Sequence, residues 1–236
     1  MSEQMIFKRY ELKYLLTKEQ YEAIRQAMEP HMEPDAYGPS VIRNIYFDTD
    51  QFRLIRRSVE KPVYKEKLRM RSYRRADGEE PVFVELKKKY KSVVYKRRIL
   101  MEQDQALECL SQGETLPVQT QIGDEINYFC HYYGHLQPTV FLSYERQAFC
   151  GREDRELRIT FDQNIRFRRE GFHFSGEIYG TPILEQGQIL MEVKTPGGLP
   201  LWLVHCLSEH KIYKTSFSKY GAAYQKMMIQ GGMEHV

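Results

Sequence analysis

Charged and apolar residues alternate with a period of two in short runs along much of the chain, the pattern of strands with one charged and one apolar face. In 6–16, IFKRYELKYLL, Arg9, Glu11 and Lys13 share one side and Tyr10, Leu12 and Tyr14 the other. Lys67, Arg69 and Arg71 alternate with Leu68 and Met70; after an Ala76-Asp77-Gly78 turn signal, Glu85, Lys87 and Lys89 alternate with Val84 and Leu86. Further along, TVFLSYERQAF puts Tyr144 and Arg146 on one face, and ELRITFD puts Arg158, Thr160 and Asp162 opposite Leu157, Ile159 and Phe161. ILMEVKT sets Glu192 and Lys194 opposite Met191 and Val193. VIRNIYFDT, ending in a polar Asp48-Thr49 corner, and VVYKRRILM complete the set of clear strands. The segment 163–188, with Gly171, Gly176, Gly180 and Pro182, reads as a strand pair with loops.

Between these runs the period changes to that of a helix. Thr17 caps KEQYEAIRQAM with Gln20 as its capping-box partner, and Pro30 closes that helix. A short helical turn is expected over 50–57, and helices over 103–112, 120–133 and LPLWLVHCLSEH. A final helix over SFSKYGAAYQKMM can be capped by Ser216 or Ser218, with Tyr220, Ala223 and Met227 as its buried stripe.

Roughly eight such strands give an antiparallel α+β fold, because helices can cover the apolar side while the charged side must be solvated or paired. A closed barrel with its charged face inward makes a hydrophilic tunnel plated by helices; an open sheet with a solvent-washed charged face satisfies the same pattern. The alternation does not choose between them.

Charge distribution narrows the partner. Lys65–Arg98 holds thirteen Lys/Arg against five Asp/Glu in a chain whose net charge is only +3, so its excess of eight leaves about five negative charges elsewhere. Such concentration suits a polyanion. At 236 residues, with 17 Tyr and 12 Phe, a single β-rich domain over 1–236 is expected. Cys109, Cys130, Cys150 and Cys206 form no Cys-x-x-Cys pair, and reduced, mostly buried thiols follow. No apolar run of membrane-spanning length and no signal-type h-region occurs, so a cytoplasmic chain without a membrane segment is expected.

Other chemistry is weakly represented. His131 and His135 have helical metal-pair spacing, but Gly134 stands between them, which reads as a helix end. His205 and Cys206 are sequence neighbours on a packed helix and point apart. Neither a P-loop nor a dinucleotide glycine fingerprint is present, so side chains must grip any ATP. Tyr73, Tyr90 and Tyr95 lie beside cations, as single-strand binding would need, yet most strand tyrosines suit packing against helices, and no nucleic acid is expected.

Taken in order, Lys13-Tyr14, Tyr46-Phe47-Asp48-Thr49, Leu68-Arg69-Met70-Arg71, Glu85-Leu86-Lys87, Tyr144-Glu145-Arg146, Leu157 to Asp162, Leu190-Met191-Glu192-Val193-Lys194 and Phe217-Ser218-Lys219-Tyr220 resemble the VTC domain. That is the catalytic domain of polyphosphate polymerases in the CYTH-like triphosphate tunnel metalloenzyme superfamily. The resemblance spans nearly the whole chain. It implies an eight-stranded antiparallel barrel with a charged interior and helices outside, a triphosphate tunnel. It also implies transfer of the ATP γ-phosphoryl to phosphate or a growing polyphosphate chain with a divalent metal, manganese in preference to magnesium. By that similarity Lys13, Arg69, Arg71, Lys87, Arg146, Arg158 and Lys219 bind phosphate. Arg57, Lys67, Lys89 and Lys194 are secondary phosphate candidates, and Glu192 holds the metal.

Hydrolytic members of the superfamily open with Glu-x-Glu-x-Lys, where this chain reads Arg9-Tyr10-Glu11-Leu12-Lys13. An arginine for a carboxylate favours holding a long polyanion over activating water, so polymerase stands ahead of triphosphatase. A non-catalytic polyphosphate or nucleic-acid binding module is the third reading. Glu11 and Glu85 are expected to pair with and orient neighbouring cations.

Overall fold

The structure, a computed structural model, describes residues 10–91 and 93–233. The elements follow in the order β1 (Tyr10–Leu16), α1 (Lys18–Met28), β2 (Met32–Pro34), β3 (Ser40–Asp48), α2 (Arg53–Val59), β4 (Tyr64–Ser72), β5 (Pro81–Tyr90) and β6 (Val93–Glu102). After them come α3 (Gln103–Gln112), α4 (Gln121–Tyr133), β7 (Gln137–Gly151), β8 (Arg158–Arg168), β9 (Thr181–Pro182), β10 (Ile189–Thr195), α5 (Leu201–Glu209) and α6 (Lys219–Met233). Eight strands follow the antiparallel order β1-β10-β8-β7-β3-β4-β5-β6, with β2 paired to β7 and β9 to β8 off that path. The α+β class and the eight principal strands are those the alternation predicts.

The chain divides into two compact units, each drawn from three separated segments. Of the described residues, the first comprises 10–41, Tyr144–Ile165 and Leu184–Ser218. The second comprises the described residues of Ile42–Ser143, Arg166–Ile183 and 219–233. β7 runs through both.

In the first unit the apolar faces of β1, β8 and β10 supply Tyr14, Ile159, Phe161, Met191 and Val193 to a core that α1 and α5 complete with Ile24, Met28, Leu203 and Cys206. α1 starts as its capping box requires: Gln20 N donates to Thr17 Oγ1 at 3.3 Å and Thr17 N to Gln20 Oε1 at 3.1 Å.

In the second unit Ile45, Phe47, Leu68, Met70, Val84, Leu86 and Ile99 form the apolar face, covered by Ala106 and Leu110 of α3 and Ile126 and Phe129 of α4. Each such buried aliphatic contributes about 1.5–3 kcal/mol. Glu125 of α4 accepts from Arg97 at 3.2 Å and lies 3.7 Å from Lys88, fixing the helix over the sheet. α4 ends at Tyr133, with Gly134 at φ +74, so His135 falls beyond the helix that carries His131.

The stretch 163–188 holds the expected strand pair with loops, in a short form. β8 runs on to Arg168, and only the two-residue β9 returns to pair with it; the loop between folds on side-chain and backbone contacts instead of a ladder.

Candidate functional site

The β1-β10-β8 register explains the first unit's charged face. Lys13 stands opposite Glu192, and Glu192 opposite Thr160; in the next row Glu11, Lys194 and Arg158 are neighbours. Lys13 Nζ is 3.3 Å from Glu192 Oε1 and donates to the Phe217 carbonyl at 2.9 Å, so the Phe217 segment holds the lysine over the sheet. Arg146 of β7 forks onto fully buried Asp162, Nε to Oδ1 at 2.6 Å and Nη2 to Oδ2 at 2.7 Å, and its Nη2 lies 3.8 Å from Glu192 Oε2. Burial would lower the Arg146 pKa, but Tyr144, Asp162 and Glu192 more than offset it, and the guanidinium stays charged. Thr160 Oγ1 is buried without a hydrogen-bond partner in this row. Arg158 is exposed. The face thus interleaves Lys13, Arg146, Arg158 and Lys194 with Glu11, Asp162 and Glu192. Arg9 lies outside the described residues.

The second unit's face is far more cationic. Lys67, Lys87 and Lys96 stand directly opposite one another across β4, β5 and β6, and Lys65 stands opposite Lys89. The next row is Tyr46, Arg69, Glu85 and Arg98. Glu85, 1% exposed, organises it: Arg69 donates Nε and Nη2 to Oε2 at 2.9 and 2.7 Å, Lys96 lies 2.5 Å from Oε1, and Arg71 Nε is 3.8 Å from Oε2. Burial pushes the Glu85 pKa up, but the charges of Arg69, Arg71 and Lys96 outweigh it and hold the carboxyl well below the usual range. Arg71 is aimed by its Nε bond to Asn44 Oδ1 at 2.9 Å, Asn44 being fixed in turn by the Leu142 carbonyl at 3.1 Å.

Tyr46 lies beneath these arginines. Its hydroxyl accepts from Arg69 Nη1 at 3.0 Å, and although burial would raise its pKa, Arg69 and Arg71 lower it, with Lys219 contributing from the first position of α6. The Tyr46 ring stacks on Tyr220 at 4.5 Å, and the Lys67 ammonium sits 5.9 Å from the Tyr220 centroid. Tyr220 is anchored in turn, its hydroxyl 2.9 Å from Thr139 Oγ1 and donating to Asp48 Oδ2 at 3.0 Å.

Asp48 explains the polar corner seen in the sequence. Its oxygens accept the backbone N–H groups of Thr49, Leu54 and Ile55 at 2.9, 2.8 and 3.0 Å, and Thr49 Oγ1 accepts that of Arg53 at 3.0 Å. Together they cap α2, whose own N-cap, Phe52, has φ +56 and no side-chain bond.

The sequence candidates therefore fall into two groups. Lys13, Arg146, Arg158, Glu192 and Lys194 belong to the first unit's face, and Lys67, Arg69, Arg71, Lys87, Lys89 and Lys219 to the second unit. Arg57 is not brought to either face: it is an exposed residue of α2 lining a cavity of about 340 Å³ with Glu66, Lys88 and Tyr133, on the strand side that carries Leu68 and Leu86. Sequence reasoning missed Lys96, Arg98, Tyr46 and Asp162 as parts of the site. Lys96-Arg97-Arg98 has no alternation of its own, and its face is set by pairing with β5.

The antiparallel α+β fold, with strands that carry charged faces, is one found among solved structures. Among the solved structures that share the fold are two, each described as a "putative adenylate cyclase". That from Bacillus halodurans is 16% identical with a TM-score of 0.55, covering 90% of this chain and 94% of its own. That from Vibrio parahaemolyticus is 13% identical with a TM-score of 0.53, covering 94% and 99%. The VTC domain family model matches residues 8–228, and the chain belongs to that family. No curated protein shows a significant match. Among the described residues no helix is long and apolar enough to cross a membrane.

Proposed function

We propose that this chain is an ATP-dependent polyphosphate polymerase domain, moving the ATP γ-phosphoryl to phosphate or a growing polyphosphate chain. The row Lys67-Lys87-Lys96 carries the reading. Three strands thus bring lysines into one row, and a polyanion laid along it meets a cation from each strand. Arg69 and Arg71, held by Glu85 and Asn44, add pre-aimed forks for phosphate oxygens.

Carboxylate engagement favours phosphate over water as acceptor. Glu85 is bound by Arg69 and Lys96, Asp162 by Arg146, and Glu192 lies beside Lys13. Glu85, its pKa held low, is a poor base for deprotonating water. An acceptor phosphate is already anionic at neutral pH: its oxygen bonds to the γ-phosphorus as the bond to the β–γ bridging oxygen breaks, and ADP leaves with that electron pair. The cations position both partners and stabilise the spread charge.

In this reading a divalent ion would take few ligands from the protein. Among the described residues no group of three His, Cys, Asp or Glu side chains has metal-ligand spacing. Glu192, with Thr160 Oγ1 opposite, offers the hard oxygen chemistry of an ion that keeps most of its ligands as phosphate oxygens and water. In this reading Glu192 would hold it, and the bound ion supplies charge neutralisation on the triphosphate. ATP as donor puts the reaction in the cytosol.

Incubation with ATP and manganese, resolved on a polyphosphate-staining gel beside an orthophosphate-release assay, tests the proposal. A chain ladder is expected. Orthophosphate without a ladder assigns the triphosphatase activity instead, and cyclic nucleotide would assign the activity named for the fold neighbours.

A further inference from the structure

Two arginines of the second unit are buried on the other side of the sheet from the lysine row. Arg43 of β3 shares the face of Ile45 and Phe47, not that of Asn44 and Tyr46, and is 9% exposed. Arg168, which ends β8, is 6% exposed. Each keeps a buried N–H with no hydrogen-bond partner, Arg43 Nε and Arg168 Nη1. A buried donor left unpaired costs about 1–3 kcal/mol, more for a charged group.

Arg168 is rigidly held. Its Nε donates to the Glu170 carbonyl at 3.0 Å and its Nη2 to the Gly171 carbonyl at 2.8 Å, while its guanidinium lies 3.5 Å from the Phe141 ring centroid and 4.4 Å from that of Tyr179. Those contacts leave Nη1 unused. Burial first, and the Arg43 charge in addition, lower the Arg168 pKa against Tyr179 and Glu170; burial and Arg75 lower that of Arg43 against Glu177. Glu170 and Glu177 are exposed, and Glu177 is already 3.5 Å from Arg75, so neither neutralises the buried pair strongly.

The covering loop is loosely packed against Arg168 at Gly176. A Cβ on Gly176 would meet no atom nearer than Arg168 Nη2, at 3.9 Å. At Gly180, φ +127, a Cβ would sit 2.3 Å from the Phe167 carbonyl, so the loop closes onto β8 only with glycine there. We infer that Arg43 and Arg168, beneath the 169–180 loop, form a second oxyanion site that takes a phosphate group, on the face opposite the lysine row. Its ligand is free orthophosphate or the terminal phosphate of a polyphosphate chain; both present the same tetrahedral oxyanion to two guanidinium donors. The site does not depend on the polymerase reading.

Hydrogen–deuterium exchange of the full chain in chloride buffer, with orthophosphate or tripolyphosphate added, tests it locally. Exchange in 169–180 is expected to slow several-fold with anion in the parent and not in Arg43→Met, while any protection over 64–102 persists in both. Protection by orthophosphate identifies free phosphate, and protection by tripolyphosphate alone identifies a chain end. Loop exchange indifferent to both anions, or slowed equally in Arg43→Met, overturns the inference. Thermal melting in chloride guards against a merely structural role: Arg43→Met, which removes a buried unsatisfied charge, should melt no lower than the parent, and a clear loss of stability contradicts the site.

Discussion

Arg69 commits both Nε and Nη2 to one oxygen of Glu85, at 2.9 and 2.7 Å, while Lys96 takes the other oxygen at 2.5 Å. One buried carboxylate thereby orders cations from two strands, β4 and β6, without cancelling the face's positive charge.

Glu85→Gln should destabilise the fold by about 3–5 kcal/mol at pH 7, since removing one member of a buried ion pair strands its partners. The pH dependence has a definite sign. The folded pKa of Glu85 is depressed, so its contribution is complete above the unfolded value, near 4.5, and is lost as pH falls from there toward the folded value. Urea melts of parent and variant should differ by a constant amount between about pH 5.5 and 7 and draw together progressively as pH falls below about 4.5. A difference that grows on acidification would refute the assignment.

Arg69→Ala should lower turnover on the order of 100- to 1000-fold, the usual scale for one preorganised donor. Arg69→Lys should recover only part of it, because an ammonium cannot replace a fork that meets Glu85 and Tyr46 at once. Steady-state rates on folded variants decide; full recovery by lysine would mean that charge alone matters.

Tyr220→Phe removes the hydroxyl shared by Asp48 and Thr139 and should cost about 1–3 kcal/mol. Because Asp48 caps α2, the loss should include faster amide exchange at Leu54 and Ile55. Unchanged exchange there would separate Tyr220 from the cap.

Burial pushes the Cys109 and Cys206 thiols up and that of Cys130 up to about 12, whereas Cys150 is only partly buried. A thiol reagent should therefore label Cys150 first, and Cys206→Ala should leave turnover within about two-fold, since Cys206 packs in the core. A large loss of activity with the fold intact would revive a nucleophilic role.

Much of this was legible because alternation is a strong signal when one face is charged: β4, β5, β8 and β10 needed only the parity of Lys67, Glu85, Arg158 and Glu192. The orienting role of Glu85 followed from a lone carboxylate among cations. Register was not legible, so the lysine row and the Arg98 neighbour of Glu85 emerge only from pairing. Nor was the reach of Asp48 into α2, because a cap supplied from an adjacent strand end lacks the short spacing of a capping box. The loop after Arg168 follows neither period and is held by arginine contacts with backbone carbonyls.

In the proposed polymerase reaction the phosphoryl group passes to phosphate and not to water. Supplying ATP labelled at the γ-phosphorus with manganese, and following the label by size separation, tests it most directly. Label in a lengthening chain with ADP released in step is expected, as is loss of that incorporation in Glu192→Gln while polyphosphate still binds. Label recovered only as orthophosphate, or incorporation undiminished in Glu192→Gln, would contradict it.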